Sequence, residues 1–211
     1  MFRQILFTQW RWGALMVGLL GVLGIALPLA VLYDLPQTPS AILDRVQLWG
    51  YVFPVFAVLT GLLLGMSAWA ADHRGGHVYA LTLPIPRWYY ALLRYGAGVL
   101  LTLGVAVALW LGALIGTSGL ALPSGLHAYA GPLALRFVLA SVLAYSVVFA
   151  VASATNRTAG WILAGLGGLV LAQIIAGTVS GAEILEPLWL LLVHTGGPFE
   201  LFTGSWLLVA V

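Results

Sequence analysis

Apolar residues run along this chain in long blocks, separated by small clusters of charge. A helix needs about 20 apolar residues to cross the hydrocarbon core of a bilayer. Charges within such a span are costly, so charged residues mark its borders. The uncharged blocks hold 22 residues between Arg11 and Asp34, 26 between Arg45 and Asp72, 41 between Arg94 and Arg136, 20 between Arg136 and Arg157, and 25 between Arg157 and Glu183. They predict spans at about 13–33, 48–70, 95–117, 133–153 and 159–182. The longest block holds one span plus a Gly-, Ser- and Pro-rich loop over 117–132. Residues 187–199, PLWLLLVHTGGPF, are too short to cross and read as an interfacial or re-entrant piece. Residues 201–211, LFTGSWLLVAV, look like the start of a sixth span. They reach about 16 Å, roughly half the hydrocarbon thickness. Either the chain is truncated there or the last helix ends inside the membrane.

The first twelve residues form a unit of their own. Phe2, Ile5, Leu6 and Trp10 share one helical face, with Arg3 and Gln4 off it. That pattern predicts a short amphipathic helix over 1–12, lying on the membrane surface before the first span. Pro28 and Pro54 fall toward one end of spans one and two, where they either kink the helix or mark its end. The expected fold is therefore all-α: a single transmembrane domain over 1–211, with about six transmembrane helices and an N-terminal surface helix.

Composition supports that class. Hydrophobic residues make up 62% of the chain and charged residues 7%, against about 25% charged in an average soluble domain. The net charge of +2 is small and split between two faces, which argues against a nucleic-acid partner. Cysteine is absent, which excludes disulfides, thiol chemistry and cysteine-bound metals. Every basic residue is arginine, and their placement sets an orientation. With the N-terminus cytoplasmic, Arg3, Arg11, Arg74, Arg87, Arg94 and Arg157 lie inside, and only Arg45 and Arg136 outside. The acids invert this, with Asp72 alone inside. Trp12, Trp69, Trp88 and Trp161 fall near the inner boundary and Trp49 and Trp189 near the outer one, as an aromatic belt requires.

No ionisable residue falls in the middle of a predicted span, so the chain carries no evident means of drawing on an ion gradient. Thr60, Ser67, Thr102, Ser141, Ser146, Gln173 and Thr178 are the polar residues there, suited to hydrogen bonds between helices. A phosphate-binding G-x-x-x-x-G-K-[ST] loop is absent as well. His73 and His77 are four apart, but Gly75 and Gly76 lie between them and no third ligand is near, so a solvated loop is expected rather than a metal site. Haem would need facing histidines within the spans, and there are none; no cofactor is expected. Gly112-x-x-x-Gly116, Ala164-x-x-x-Gly168 and Gly177-x-x-x-Gly181 permit close helix contact, within the chain or between protomers.

The segment over 71–94 is the one long cytoplasmic loop. It gathers Asp72, Arg74, Arg87 and Arg94 around an amphipathic stretch interrupted by Pro84 and Pro86. Asp72, then Gly75, then Leu81-Thr82-Leu83-Pro84-Ile85-Pro86-Arg87, then Arg94 resemble the inner-loop signature of exporter-type ABC transporter permeases of the ABC-2 type. Pro86 stands where that family has a small hydroxyl residue, and Gly76-His77 where it has a Thr-Leu pair. The resemblance implies a membrane-spanning permease subunit in a cell membrane, such as a bacterial inner membrane, driven by a separate cytoplasmic ATP-binding subunit. It implies pairing with a second copy or a homologous permease. Asp72, Gly75, Pro84, Arg87 and Arg94 would belong to the coupling loop, and Thr60, Trp110 and Gln173 are candidate linings of an uncharged pathway for an amphiphilic cargo. Two other readings stay open. A non-transporting structural or assembly subunit accounts for the missing polar site but not for the ordered loop. A lipid-acting membrane enzyme would need more acids or histidines than the Asp72, His73 and His77 of the inner face.

Overall fold

The computed structural model describes residues 1–33, 39–74, 86–118, 126–153, 161, 164–165, 167–169, 171–173, 175, 200–202, 206 and 208–210. They divide into two compact units, Met1–Phe149 with Ser205–Val211, and Ala150–Gly204. The first unit is built from α1 (Phe2–Leu32), α2 (Pro39–Gly50), α3 (Val52–Arg74), α4 (Arg87–Ser118), a two-residue strand β1 (His127–Ala128), α5 (Ala130–Ser153, which runs into the second unit) and β2 (Val209–Ala210). Among the described residues four helical stretches are long and apolar enough to cross a membrane: Phe2–Leu32, Ala41–Ala70, Arg87–Ser118 and Ala130–Ser153. Each covers one of the first four expected spans, the first to within one residue, and begins earlier than expected.

The expected boundary between a surface helix over 1–12 and a span from 13 is not a break in the chain. Helix α1 is continuous over 31 residues, about 46 Å of ideal helix against about 30 Å of hydrocarbon. Gly13 does not interrupt it, because one glycine costs a helix only about 1 kcal/mol. Phe2 and Gln9 are about 10 Å apart along an ideal axis, yet both meet the same turn of α4. The Phe2 ring lies 3.9 Å from where a Cβ on Gly96 would be, and Gln9 bonds the Arg94 carbonyl. The first turns of α1 therefore slant across α4 rather than run beside it.

Further along, α1 and α4 lie parallel and close, and glycine permits it. A Cβ on Gly112 would stand 2.6 Å from the Ile25 backbone, one on Gly116 2.7 Å from Leu32, and one on Gly24 3.2 Å from the Leu109 nitrogen. The Gly112-x-x-x-Gly116 pattern is thus used within the chain. Pro28 sits inside α1, buried. It lacks the N–H that would bond the Gly24 carbonyl, and α1 ends at Tyr33 in extended backbone. Helices α3 and α5 also lie parallel, with Gly61 against Ala144 and the Ser141 carbonyl and Gly65 against Val148. Phe56 stacks on Phe137 and Trp69 on Phe149, each pair 5.2 Å between centroids. Pro54 falls in the first turn of α3, where its missing N–H has no helical partner to lose. It marks a helix start, with Tyr51 as the break from α2.

The fold is mostly helical, with one short exception: β1 and β2 pair antiparallel, His127 with Ala210 and Ala128 with Val209, and Tyr129 N–H donates to the Leu208 carbonyl at 2.8 Å. The incomplete sixth span from about 201 is not a helix where it is described. Glu200–Phe202 is a single 3-10 turn and Val209–Ala210 is strand. Thr203, Gly204 and Ser205 are poor helix formers, and Val209 and Val211 are β-branched. Trp206, Leu208 and Val209 are buried, with the Arg136 guanidinium 5.0 Å over the Trp206 ring.

In the second unit, the described residues between Trp161 and Ile175 are helical, and Trp161, Leu169, Leu171 and Ile175 are exposed. The rest of the expected 159–182 span, the Gly177-x-x-x-Gly181 pattern and the 187–199 piece lie outside the described residues.

Gly112→Leu is expected to cost about 1–3 kcal/mol by overpacking, and Gly104→Ala, with nothing within 4 Å of its new Cβ, to be tolerated. Thermal unfolding of the detergent-solubilised chain checks the contrast; equal losses at both positions would contradict the α1–α4 packing.

Candidate functional site

The polar centre of the first unit is built where α3 ends and α4 begins. Both helices turn charge toward each other there. Asp72 sits in the last turn of α3 and Arg94 two turns into α4, and the Arg94 Nη1 pairs with the Asp72 carboxylate. Both side chains are almost wholly buried, at 4% and 3% exposure. The Tyr90 hydroxyl, one turn before Arg94 on the same face, donates to the same carboxylate at 3.2 and 3.3 Å. The guanidinium is sandwiched by rings, 5.1 Å from the Trp69 centroid and 5.3 Å from that of Tyr90. Such cation–π contacts stabilise a desolvated cation by up to about 2 kcal/mol.

A third helix joins through backbone. Gln9 of α1 is buried, and its Nε2 donates to the Arg94 carbonyl at 3.1 Å. Arg94 is therefore held by its side chain to α3 and by its main chain to α1. A fourth contact comes from α5. Ser146 Oγ donates to the Val142 carbonyl at 2.7 Å, which commits its single proton, so the Tyr95 hydroxyl is the donor across the 2.8 Å bond to Ser146 Oγ. Tyr95, Tyr145 and Phe149 form a ring cluster with centroids 5.5–5.6 Å apart. Gln9 Oε1, Trp69 Nε1, Arg94 Nε and the Tyr145 hydroxyl lie buried around the pair without a hydrogen-bond partner among the described residues. The site thus holds more hydrogen-bonding capacity than the ion pair uses, and a change there exposes groups that cost about 1–3 kcal/mol each when left unsatisfied.

The sequence-derived site residues fall into three sets. Asp72 and Arg94 are brought together, but facing inward, so neither presents its charge to a partner. Arg87, at the first position of α4, is exposed. Gly75 and Pro84 lie outside the described residues. The candidate linings of the first unit, Thr60 and Trp110, have unlike surroundings. Thr60 is fully buried and donates to the Phe56 carbonyl of its own helix at 2.8 Å. Trp110 is 41% exposed on α4, beside an apolar groove shared with Gly131, Ala134 and Leu135. Gln173 is half-buried in the other unit. Trp69, placed by sequence in the inner aromatic belt, is buried against Arg94 instead, while Trp12, Trp88 and Trp161 are exposed.

Sequence reasoning missed three contributors. Gln9 was hidden because only the apolar face of residues 1–12 was scored. Tyr90 carries its signal in the four-residue spacing to Arg94. Gly61-x-x-x-Gly65 is a small-residue pattern of the same kind as Gly112-x-x-x-Gly116. Among the described residues no three of His, Asp or Glu come together as a metal site.

These features define a polytopic helical chain of the multi-pass membrane class, with a buried ionic clasp at one end of its bundle. No family model matches the chain, and neither a curated protein nor a solved structure matches it.

Asp72→Leu or Arg94→Met alone is expected to cost about 3–5 kcal/mol, because each leaves a buried charge unpaired. The double substitution Asp72→Leu/Arg94→Met should recover most of that loss. A double-mutant cycle by thermal unfolding checks it; additive losses would mean that the two side chains do not interact.

Proposed function

We propose that the chain is the membrane-spanning permease subunit of an ABC exporter, with ATP hydrolysed by a separate cytoplasmic subunit and a second permease completing the pathway. The observation that carries the reading is the buried Asp72–Arg94 clasp. It joins the two ends of the segment whose sequence resembles the family's inner-loop signature, and its two residues are the acid and the base of that signature. A chain segment that must transmit force needs rigid ends, and a buried, ring-capped ion pair supplies them. In this reading Asp72 and Arg94 position the loop, and the exposed Arg87 is the residue that meets the ATPase. The N-terminus is cytoplasmic by the arginine distribution, and the transported molecule is amphiphilic, to suit uncharged walls.

A non-transporting structural or assembly subunit is the second reading. Two placements favour it: the Thr60 hydroxyl is turned back onto its own helix, and Trp110 faces outward.

Affinity purification of the full chain from its host membranes, with mass spectrometry of what accompanies it, separates the two. An ATP-binding subunit should co-purify with the native chain and be lost with Arg87→Glu, while the variant keeps its native unfolding temperature. Recovery of other membrane proteins with no ATPase would establish the structural-subunit reading.

A further inference from the structure

A sizeable cavity lies away from the clasp. It has a volume of about 840 Å³ and opens beside the first turns of α1, between Arg3, Gln4, Phe7 and Trp10 on one side and Leu100 and Leu101 of α4 on the other. That volume is in the range of small-molecule sites, about 300–1,000 Å³. The lining divides by chemistry. Phe7, Trp10 and the two leucines make up its apolar lining, and Arg3 and Gln4 supply N–H donors.

Charge completes the pattern. Arg3, Phe7 and Arg11 are spaced four apart and so share one stripe of α1. Arg3, Gln4 and Arg11 are exposed. Among the described residues neither arginine has an ion pair, and Asp72, the acid at this end of the bundle, is spent on Arg94. One uncompensated cation, Arg3, therefore lines a largely apolar cavity, and a second, Arg11, lies two turns further along the same stripe of α1. Trp10 and Trp12, 46% and 45% exposed, lie on the same turns, as rings do at headgroup level.

We propose that this cavity is a specific binding site for an anionic phospholipid. Arg3 and Gln4 take the phosphate, Arg11 adds the second cation along the stripe, and an acyl chain enters between Phe7, Trp10 and Leu100. The occupant is chosen by complementarity: a zwitterionic lipid brings its own head-group cation, which offsets the phosphate charge and is repelled by the two arginines, while a soluble phosphate would answer the arginines and leave the apolar lining empty. The site is independent of the transport reading, because it needs neither an ATPase nor a pathway.

The test is native mass spectrometry of the purified full chain in neutral detergent, titrated with dioleoylphosphatidylglycerol or dioleoylphosphatidylcholine. The phosphatidylglycerol should bind more tightly, with each arginine contributing about fivefold. Arg3→Gln should weaken it by about that factor, and Arg3→Gln/Arg11→Gln should bring it to the phosphatidylcholine level. Arg45→Gln, which removes the same charge elsewhere, should change nothing. Raising NaCl from about 0.05 to about 0.5 M should weaken phosphatidylglycerol binding to the native chain and leave phosphatidylcholine binding unaffected; this arm needs no variant. Equal binding of the two lipids, a preference that survives the double variant or the salt, or displacement of phosphatidylglycerol by inorganic phosphate alone would each overturn the proposal.

Discussion

A buried arginine is the constraint around which this bundle is arranged. Moving an ammonium- or guanidinium-sized ion out of water costs several kcal/mol even after relaxation, and the cost is larger beside lipid, where no water can substitute. Arg94 is almost fully buried and offsets that cost with a carboxylate from α3 and the nearby rings of Trp69 and Tyr90, while its main-chain carbonyl separately accepts a hydrogen bond from Gln9 of α1. Remove the carboxylate and the rest is too weak to hold the charge. The end of α3 is therefore fixed to the start of α4 by one ion pair, and α1 is tied to the same residue through its main chain.

The glycine contacts set the distances at which that pair can close. Helices α1 and α4 approach until backbone meets backbone at Gly24 and Gly112, and α3 meets α5 the same way at Gly61. In a lipid environment apolar side chains gain little from touching each other rather than acyl chains, so close van der Waals packing at small residues does the selecting. The exposed faces agree with this division of labour. Leu15, Leu19 and Val22 of α1 and Leu103, Val107 and Leu111 of α4 point outward with nothing specific to contact, and specificity is concentrated in the glycines and the clasp.

The first four spans were legible because charge-free length is a strong signal and needs no knowledge of packing. Their N-terminal extensions were not: a helix continues past the hydrocarbon wherever nothing breaks it, and arginines such as Arg3, Arg45 and Arg87 are good helix residues in water. The ion pair was half legible. Asp72 and Arg94 stood out as a matched acid and base, but the rule that charges mark span borders placed them in solvent, and only geometry shows that border charges from two helices bury each other. The C-terminal segment misled for the opposite reason. Residues 201–211 have the composition of a span, and hydrophobicity does not distinguish a helix from a buried strand edge; β-branched Val209 and Val211 after Gly204 were the available hint. Thr60 and Trp110 were chosen as pathway residues for polarity and size alone, and neither property says which way a side chain points.

The clasp and the cavity beside α1 use arginine in opposite ways, and the contrast follows from where each sits on its helix. Arg94 is on the inner face of α4 between three other helices, so its charge must be neutralised within the protein, and it is therefore a fixed structural element that cannot also serve a ligand or partner. Arg3 and Arg11 are on the outer stripe of α1, where hydration makes an unpaired charge cheap, so their cations remain available. The same argument applies to Arg87, exposed at the start of α4. Of the arginines described at this end of the bundle, the buried one holds the shape, and the exposed ones are those from which interactions with lipid or protein can be built.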